Sequence, residues 1–178
     1  MAEKTLIHQG SHISLYKQKV LLDDQRHTYY DVIAHPGGAV MAALNEQRQF
    51  CLITQPRPAI GEDVWEFPAG CLEPEEPPLQ TAKRELEEET GFIANKWFDL
   101  GNIVTAPGYC DERLYLYAAK ELTETSTNFD EEEQIESHWL TVAEIEEKVA
   151  NGTINDAKTL SLLCKLKSHP SFIHLWNS

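Results

Sequence analysis

The chain has no apolar run approaching the roughly 20 residues that cross a bilayer, and no membrane partner is expected. Its start, Met1-Ala2-Glu3-Lys4, lacks the charged-then-apolar pattern of a secretory leader, so a cytoplasmic location is expected. Basic residues are scarce: 15 Lys and Arg face 29 Asp and Glu, a net charge of −14. Sequence-independent nucleic-acid binding needs basic patches, so it is excluded as an expectation. An anionic small substrate is not excluded, because a bound divalent cation and a few arginines can reverse the field inside a cleft. Cysteine is sparse too. Cys51, Cys71, Cys110 and Cys164 form no CxxC unit, so neither a zinc site nor a disulfide framework is indicated. Cys51, in an apolar strand, and Cys164, in an apolar helix, are expected in the core. The histidines are scattered without metal-ligand spacing, and His138 reads as a strand residue. There is no internal repeat and no low-complexity segment.

What remains suits one domain of 178 residues with a sizeable core. The N-terminal part is strand-rich: His12 to Leu22 and Thr28 to Ala34 flank the polar Asp23-Asp24-Gln25. His35-Pro36-Gly37-Gly38 is turn chemistry. Ala39 to Leu44 and Phe50 to Thr54 form a hairpin around a polar link, and Trp65-Glu66-Phe67 is another short strand. Pro77 and Pro78 suit a first helical turn, where no amide donor is needed. Leu79, Ala82 and Leu86 recur at helical spacing as a buried stripe, and Gly91 is a left-handed stop. Two more extended segments follow, Lys96 to Ala106 and Arg113 to Ala119. The stretch from Thr123 to Gln134 is polar and acidic, and Ile135 to Leu140 returns to strand. Thr141-x-x-Glu144 is a capping box that opens a helix ending near Gly152. Asp156 to Leu166 is a further amphipathic helix, and Phe172, Ile173, Leu175 and Trp176 give the tail residues to dock with.

The helix after Pro78 carries unusual chemistry. Glu85 and Glu89 stand four apart and share a face, and Glu88 borders it. Clustered carboxylates repel one another unless a cation sits among them. Hard oxygen ligands on one rigid helix suit Mg²⁺ or Mn²⁺. Arg84, four residues before Glu88, could orient the ligand helix through an ion pair. An acidic helix face alone is usually just solvated. Here it sits inside a longer pattern, Gly-x5-Glu-x7-Arg-Glu-Leu-x-Glu-Glu-x-Gly-Phe, running from Gly70 to Phe92.

That pattern resembles the signature of the Nudix hydrolases at all nine fixed positions: Gly70, Glu76, Arg84, Glu85, Leu86, Glu88, Glu89, Gly91 and Phe92. The resemblance covers roughly Ala39 to Leu166. It implies an α/β fold, an α/β/α sandwich with a mixed sheet, here with an added N-terminal strand-rich segment over 1–38 before a hydrolase domain over 39–178. Markers outside the signature are similar to the ADP-ribose pyrophosphatase branch: the run from Arg26 to Gly37, Gln55-Pro56-Arg57, Glu66-Phe67-Pro68-Ala69-Gly70, and Pro107 fifteen residues after Phe92. Enzymes that cleave GDP-mannose or other nucleotide sugars share much of this pattern.

The resemblance implies metal-dependent hydrolysis of the pyrophosphate in a nucleoside diphosphate sugar. ADP-ribose is favoured, giving AMP and ribose 5-phosphate. Mg²⁺, with Mn²⁺ able to substitute, is expected on Glu85, Glu89 and the carbonyl of Ala69, with Glu88 sharing or supporting the site. Gly70, Arg84 and Gly91 are structural in the motif. Glu133, and after it Glu131, is expected to activate the attacking water. Arg57 would hold a phosphate, and Glu66, Pro107 and Tyr30 complete the expected substrate contacts. A homodimer is expected, with the N-terminal strands as the dimerisation element. A non-catalytic nucleotide sensor on the same fold is disfavoured because every signature glutamate is present.

Overall fold

The computed structural model describes residues 3–125 and 134–177. In chain order the strands begin with β1 (Lys4–Gln9), β2 (Ser14–Leu21), β3 (His27–Ala34), β4 (Gly38–Ala43), β5 (Gln49–Arg57), β6 (Glu62–Glu66) and β7 (Ala69–Cys71). Helix α1 (Pro78–Thr90) follows, then β8 (Phe92–Val104), β9 (Arg113–Glu124), β10 (Glu136–Thr141), α2 (Val142–Ala150), α3 (Ala157–Ser168) and a short 3-10 turn at Ile173–Leu175.

β4 is buried at every position. Its Gly-Ala-Val-Met-Ala-Ala run has no polar face, as expected of a strand covered on both sides. It pairs in parallel with β9 and antiparallel with β7, inside a mixed sheet of order β7-β4-β9-β8. Ala39, Met41 and Ala43 face α1, packing with Ala82, Leu86, Tyr117 and Ala119. Val40, Ala42 and Leu44 face the other layer, where Ile145, Leu162, Leu166 and Phe172 close the main core. The result is the expected mixed sheet between helices. A second core sheet stands beside it, antiparallel and of order β10-β5-β6.

Thr141 and Glu144 form the reciprocal cap expected at the start of α2. Three details differ from the sequence reading. β4 and β5, read as a hairpin, lie in different sheets and share only an antiparallel bridge between Leu44 and Phe50, because each strand finds its ladder partners elsewhere in the chain. Leu79, in the first turn of α1, is exposed; Ala82 and Leu86 carry the burial with Thr81. Cys164 is exposed on the outer side of α3, whereas Cys51 is fully buried.

The first three strands form their own antiparallel sheet. It is joined to the core by hydrogen bonds to the loop after β8. Ile33 N–H donates to Tyr109 O at 2.7 Å, Asp111 N–H donates to Ile33 O at 3.1 Å, and His35 N–H donates to Asp111 Oδ1 at 2.8 Å. Leu6, Ile7, Leu21, Tyr29 and Tyr30 leave this sheet with exposed apolar surface.

The tail docks as its composition suggests. Phe172 is fully buried, edge-on to Phe98 at 5.0 Å, with Lys120 Nζ 4.3 Å from its ring centre. Phe172→Ala should therefore cost about 3–5 kcal/mol, the usual range for emptying a buried aromatic site. Chemical denaturation of the variant against the parent chain measures it; a loss under about 1 kcal/mol would mean that the tail is not part of the core.

Candidate active site

Helix α1 starts behind Pro77, in extended conformation, with Pro78 in its first turn. It ends at Gly91, whose left-handed conformation (φ 72°) directs its N–H to Glu87 O at 2.9 Å. Its last turn carries Glu87, Glu88 and Glu89 and no basic residue. Acids at the negative end of a helix dipole are unfavourable. A sequence that places them there departs from what stability alone would select, which is the signature of a functional site.

β7 supplies the facing edge. Met41 N–H donates to Pro68 O at 3.0 Å and Leu72 N–H donates to Gly37 O at 3.1 Å, so the ladder toward β4 uses positions 68, 70 and 72. Antiparallel alternation turns the main-chain groups of Ala69 and Cys71 the other way, toward α1. Accordingly, Ala69 N–H donates to Glu89 Oε2 at 3.0 Å, and Cys71 O accepts from Arg84 Nη2 at 3.3 Å. The Ala69 carbonyl shares this orientation. Between them, Gly70 lets α1 approach. A Cβ built there would lie 1.8 Å from the carboxyl carbon of Glu85.

Arg84 ties the acids together. Its Nη1 donates to Glu85 Oε1 at 2.7 Å and to Glu88 Oε2 at 3.0 Å. Its Nε and Nη2 reach Glu76 at 3.2 and 3.1 Å, and Thr81 Oγ1 donates to the same carboxylate at 2.8 Å. The Arg84 guanidinium holds Glu76 below the ordinary carboxylate range. Glu76 thus fixes the arginine that fixes the acids. Glu89 is 3% exposed. Among the described residues, no three His, Cys, Asp or Glu side chains are grouped so that they alone could hold a metal ion. The donors present are nevertheless all oxygen: Glu85, Glu88, Glu89 and the Ala69 carbonyl. That set fits a hard divalent cation such as Mg²⁺ or Mn²⁺ and does not suit a soft one.

A cleft of 390 Å³ opens beside this edge, lined by Ala69, Gly70 and Cys71 together with Arg57, His35, Glu112, Asp156 and Lys158. Arg57 Nε and Nη2 donate to the two oxygens of Glu66 at 2.7 and 2.6 Å. Glu66 is 1% exposed; it lies behind Arg57, and its second oxygen also meets Lys158 Nζ. Glu112 accepts from Thr105 Oγ1 at 2.6 Å. Partial burial, and then Glu85, push the thiol of Cys71 up, although part of the residue stays exposed.

The structure brings Arg57, Glu66, Ala69, Gly70, Arg84, Glu85, Glu88 and Glu89 into one neighbourhood. Tyr30 and Pro107 line a different cavity, of 520 Å³, between the N-terminal sheet and the loop after β8. Glu131 and Glu133 lie outside the described residues. A larger cavity, of 600 Å³, includes Lys120 and Trp139 and none of the signature acids. Lys120 Nζ there is committed to Ser171 O at 3.2 Å. Sequence reasoning missed His35, Glu112, Asp156 and Lys158. Only Asp156 had a local signal, as a helix-capping residue.

The NUDIX domain model matches residues 17–163 of the chain. The chain belongs to the Nudix family. The match begins within β2. The chain is 33% identical over 165 residues to the ADP-ribose pyrophosphatase of Bacillus subtilis (strain 168), covering 89% of each. It is 32% identical over 178 residues to the methanol dehydrogenase activator of Bacillus methanolicus, covering 97% of this chain and 96% of that one. The crystal structure of an ADP compounds hydrolase superposes with a TM-score of 0.78 over 93% of this chain and 92% of that one, at 19% identity, a likeness of fold.

Gly70→Ala isolates the close approach. The inserted methyl meets the end of a flexible side chain, so the fold should survive while Glu85 is expelled from β7. Turnover should fall about a hundredfold or more, with the melting temperature within a few degrees of the parent. A fully active Gly70→Ala enzyme would mean that Glu85 need not sit against β7.

Proposed function

We propose that this Nudix protein hydrolyses the pyrophosphate of nucleoside diphosphate sugars, with ADP-ribose as the first substrate and AMP and ribose 5-phosphate as products. The observation that supports the reading is the edge where Glu89 meets the Ala69 N–H and Glu85 packs against Gly70, beside a cleft lined by Arg57. Glu85, Glu89 and the Ala69 carbonyl hold Mg²⁺, or Mn²⁺ in its place, and Glu88 shares or supports that site. When bound, such an ion neutralises diphosphate charge and lowers the pKa of a coordinated water.

Arg57 holds a substrate phosphate by forked hydrogen bonds, oriented from behind by Glu66. Glu133, with Glu131 as the second choice, accepts the proton of the attacking water. Tyr30 and Pro107 contact the nucleoside or sugar end through the neighbouring cavity. Residues 1–38 form a dimerisation element on the hydrolase domain over 39–178. The exposed Leu6, Ile7, Leu21 and Tyr29 are the surface that a second copy would cover. The activity is expected in the cytoplasm.

The direct assay is phosphate-ester product release from ADP-ribose, GDP-mannose, other nucleotide sugars, NADH and diadenosine polyphosphates, each with Mg²⁺ and with chelator. Metal-dependent cleavage of ADP-ribose to AMP supports the reading. Preference for GDP-mannose would move the substrate, and binding without turnover would make the protein a sensor.

Glu85→Gln and Glu89→Gln should each reduce turnover by at least about a hundredfold, some 2.7 kcal/mol of lost stabilisation. Normal rates in both variants would remove the metal assignment. In the acidic stretch, Glu133→Gln should lower kcat more than it raises KM, since the role belongs to the attacking water. A normal Glu133→Gln beside a crippled Glu131→Gln would shift the base by two residues; two normal variants would remove the base from this stretch. Light scattering at micromolar concentration should return twice the 20.2 kDa chain mass; a monomer mass would end the dimer proposal.

A further inference from the structure

The first turn of α3 reaches into the cleft from the far end of the chain. Asp156 caps the helix: its Oδ2 accepts from Thr159 N–H at 2.9 Å and from Thr159 Oγ1 at 2.7 Å. Thr159, fully buried, accepts in turn from Phe67 N–H at 2.9 Å. The turn is therefore pinned directly beside the Glu66-Phe67 peptide, and Lys158 is carried with it. Lys158 Nζ lies between two acids. It donates to Asp156 Oδ2 at 3.1 Å and to Glu66 Oε2.

Glu66 is the same carboxylate that takes two of the five N–H groups of Arg57. Arg57 keeps 40% of its side chain exposed, at the cleft wall. Asp156 also acts electrostatically on Arg57. With Lys158 removed, Asp156 would lose its cation and Glu66 one of its donors. Both acids would then compete for Arg57 and engage the guanidinium face that a ligand would use.

We propose that Lys158 is a positioning residue for Arg57: by satisfying Glu66 and Asp156 together, it leaves the outer face of the guanidinium to the substrate diphosphate. This rests on the reading of Arg57 as the phosphate clamp. It makes the packing of α3 a determinant of substrate affinity, although α3 carries none of the signature residues.

The test is a double-mutant cycle on binding, which needs no turnover. Titration calorimetry with the non-hydrolysable diphosphate α,β-methylene-ADP and Mg²⁺ is run on the full chain, Lys158→Met, Arg57→Ala and the pair. Lys158→Met should weaken binding about tenfold, and adding it to Arg57→Ala should weaken it no further, since coupled sites are non-additive. Lys158→Gln, which keeps a donor for Glu66 without the charge, is measured alongside in case the methionine variant folds poorly. It should fall between the two. Wild-type affinity in either folded lysine variant, losses that multiply in the pair, or no binding by the parent chain would each overturn the proposal. ADP-ribose turnover, assayed separately, keeps the two ideas apart. Turnover without the coupling defeats only the role of Lys158, and coupling without turnover defeats only the hydrolase reading.

Discussion

The close approach of α1 to the edge of β7 is the constraint on which the rest of the site depends. It exists because residue 70 has no side chain: the carboxylate of Glu85 occupies the space a Cβ would fill. At that separation Ala69 N–H can donate to Glu89, and Cys71 O can accept from Arg84. A longer gap would break both of these contacts, although Glu85 and Glu88 would keep Arg84 within the helix. The helix and the strand edge are therefore one unit, with oxygen donors contributed from both sides.

Holding like charges in such a unit needs compensation. Glu87, Glu88 and Glu89 crowd the negative end of the helix dipole, with Glu85 one turn before them. Within the chain the compensation comes from Arg84, which binds Glu85, Glu88 and Glu76 at once. The second cationic centre, Arg57 with Lys158, is likewise built around a buried acid, Glu66. Both arginines are thus oriented by carboxylates rather than left mobile. Long side chains lose substantial rotamer entropy when they bind a ligand. Fixing them during folding removes that cost from the binding step.

Much of this was legible in the sequence because the information is local. The helix, its proline start, its glycine stop and the Glu85–Glu89 face follow from spacing within 23 residues, Gly70 to Phe92. β4 was legible because a strand buried on both faces must be apolar throughout. What was not legible is long-range. Lys158 meets Glu66 across 92 positions, and nothing near either residue announces it. Leu79 and Cys164 were misread for the same reason: apolar periodicity marks a face, but the neighbour's extent decides how far along a helix that face is covered. Glu66 was read as a substrate contact from a motif, and its burial behind Arg57 required the fold.

The central claim is that the α1–β7 edge is a divalent-cation site. Electron paramagnetic resonance of Mn²⁺ titrated into the metal-free parent chain tests it without assuming a substrate or a reaction. The account predicts loss of the free six-line signal as protein is added, and its return when excess Mg²⁺ competes for the same oxygen donors. A free-Mn²⁺ signal unchanged at protein concentrations well above the micromolar range would contradict it.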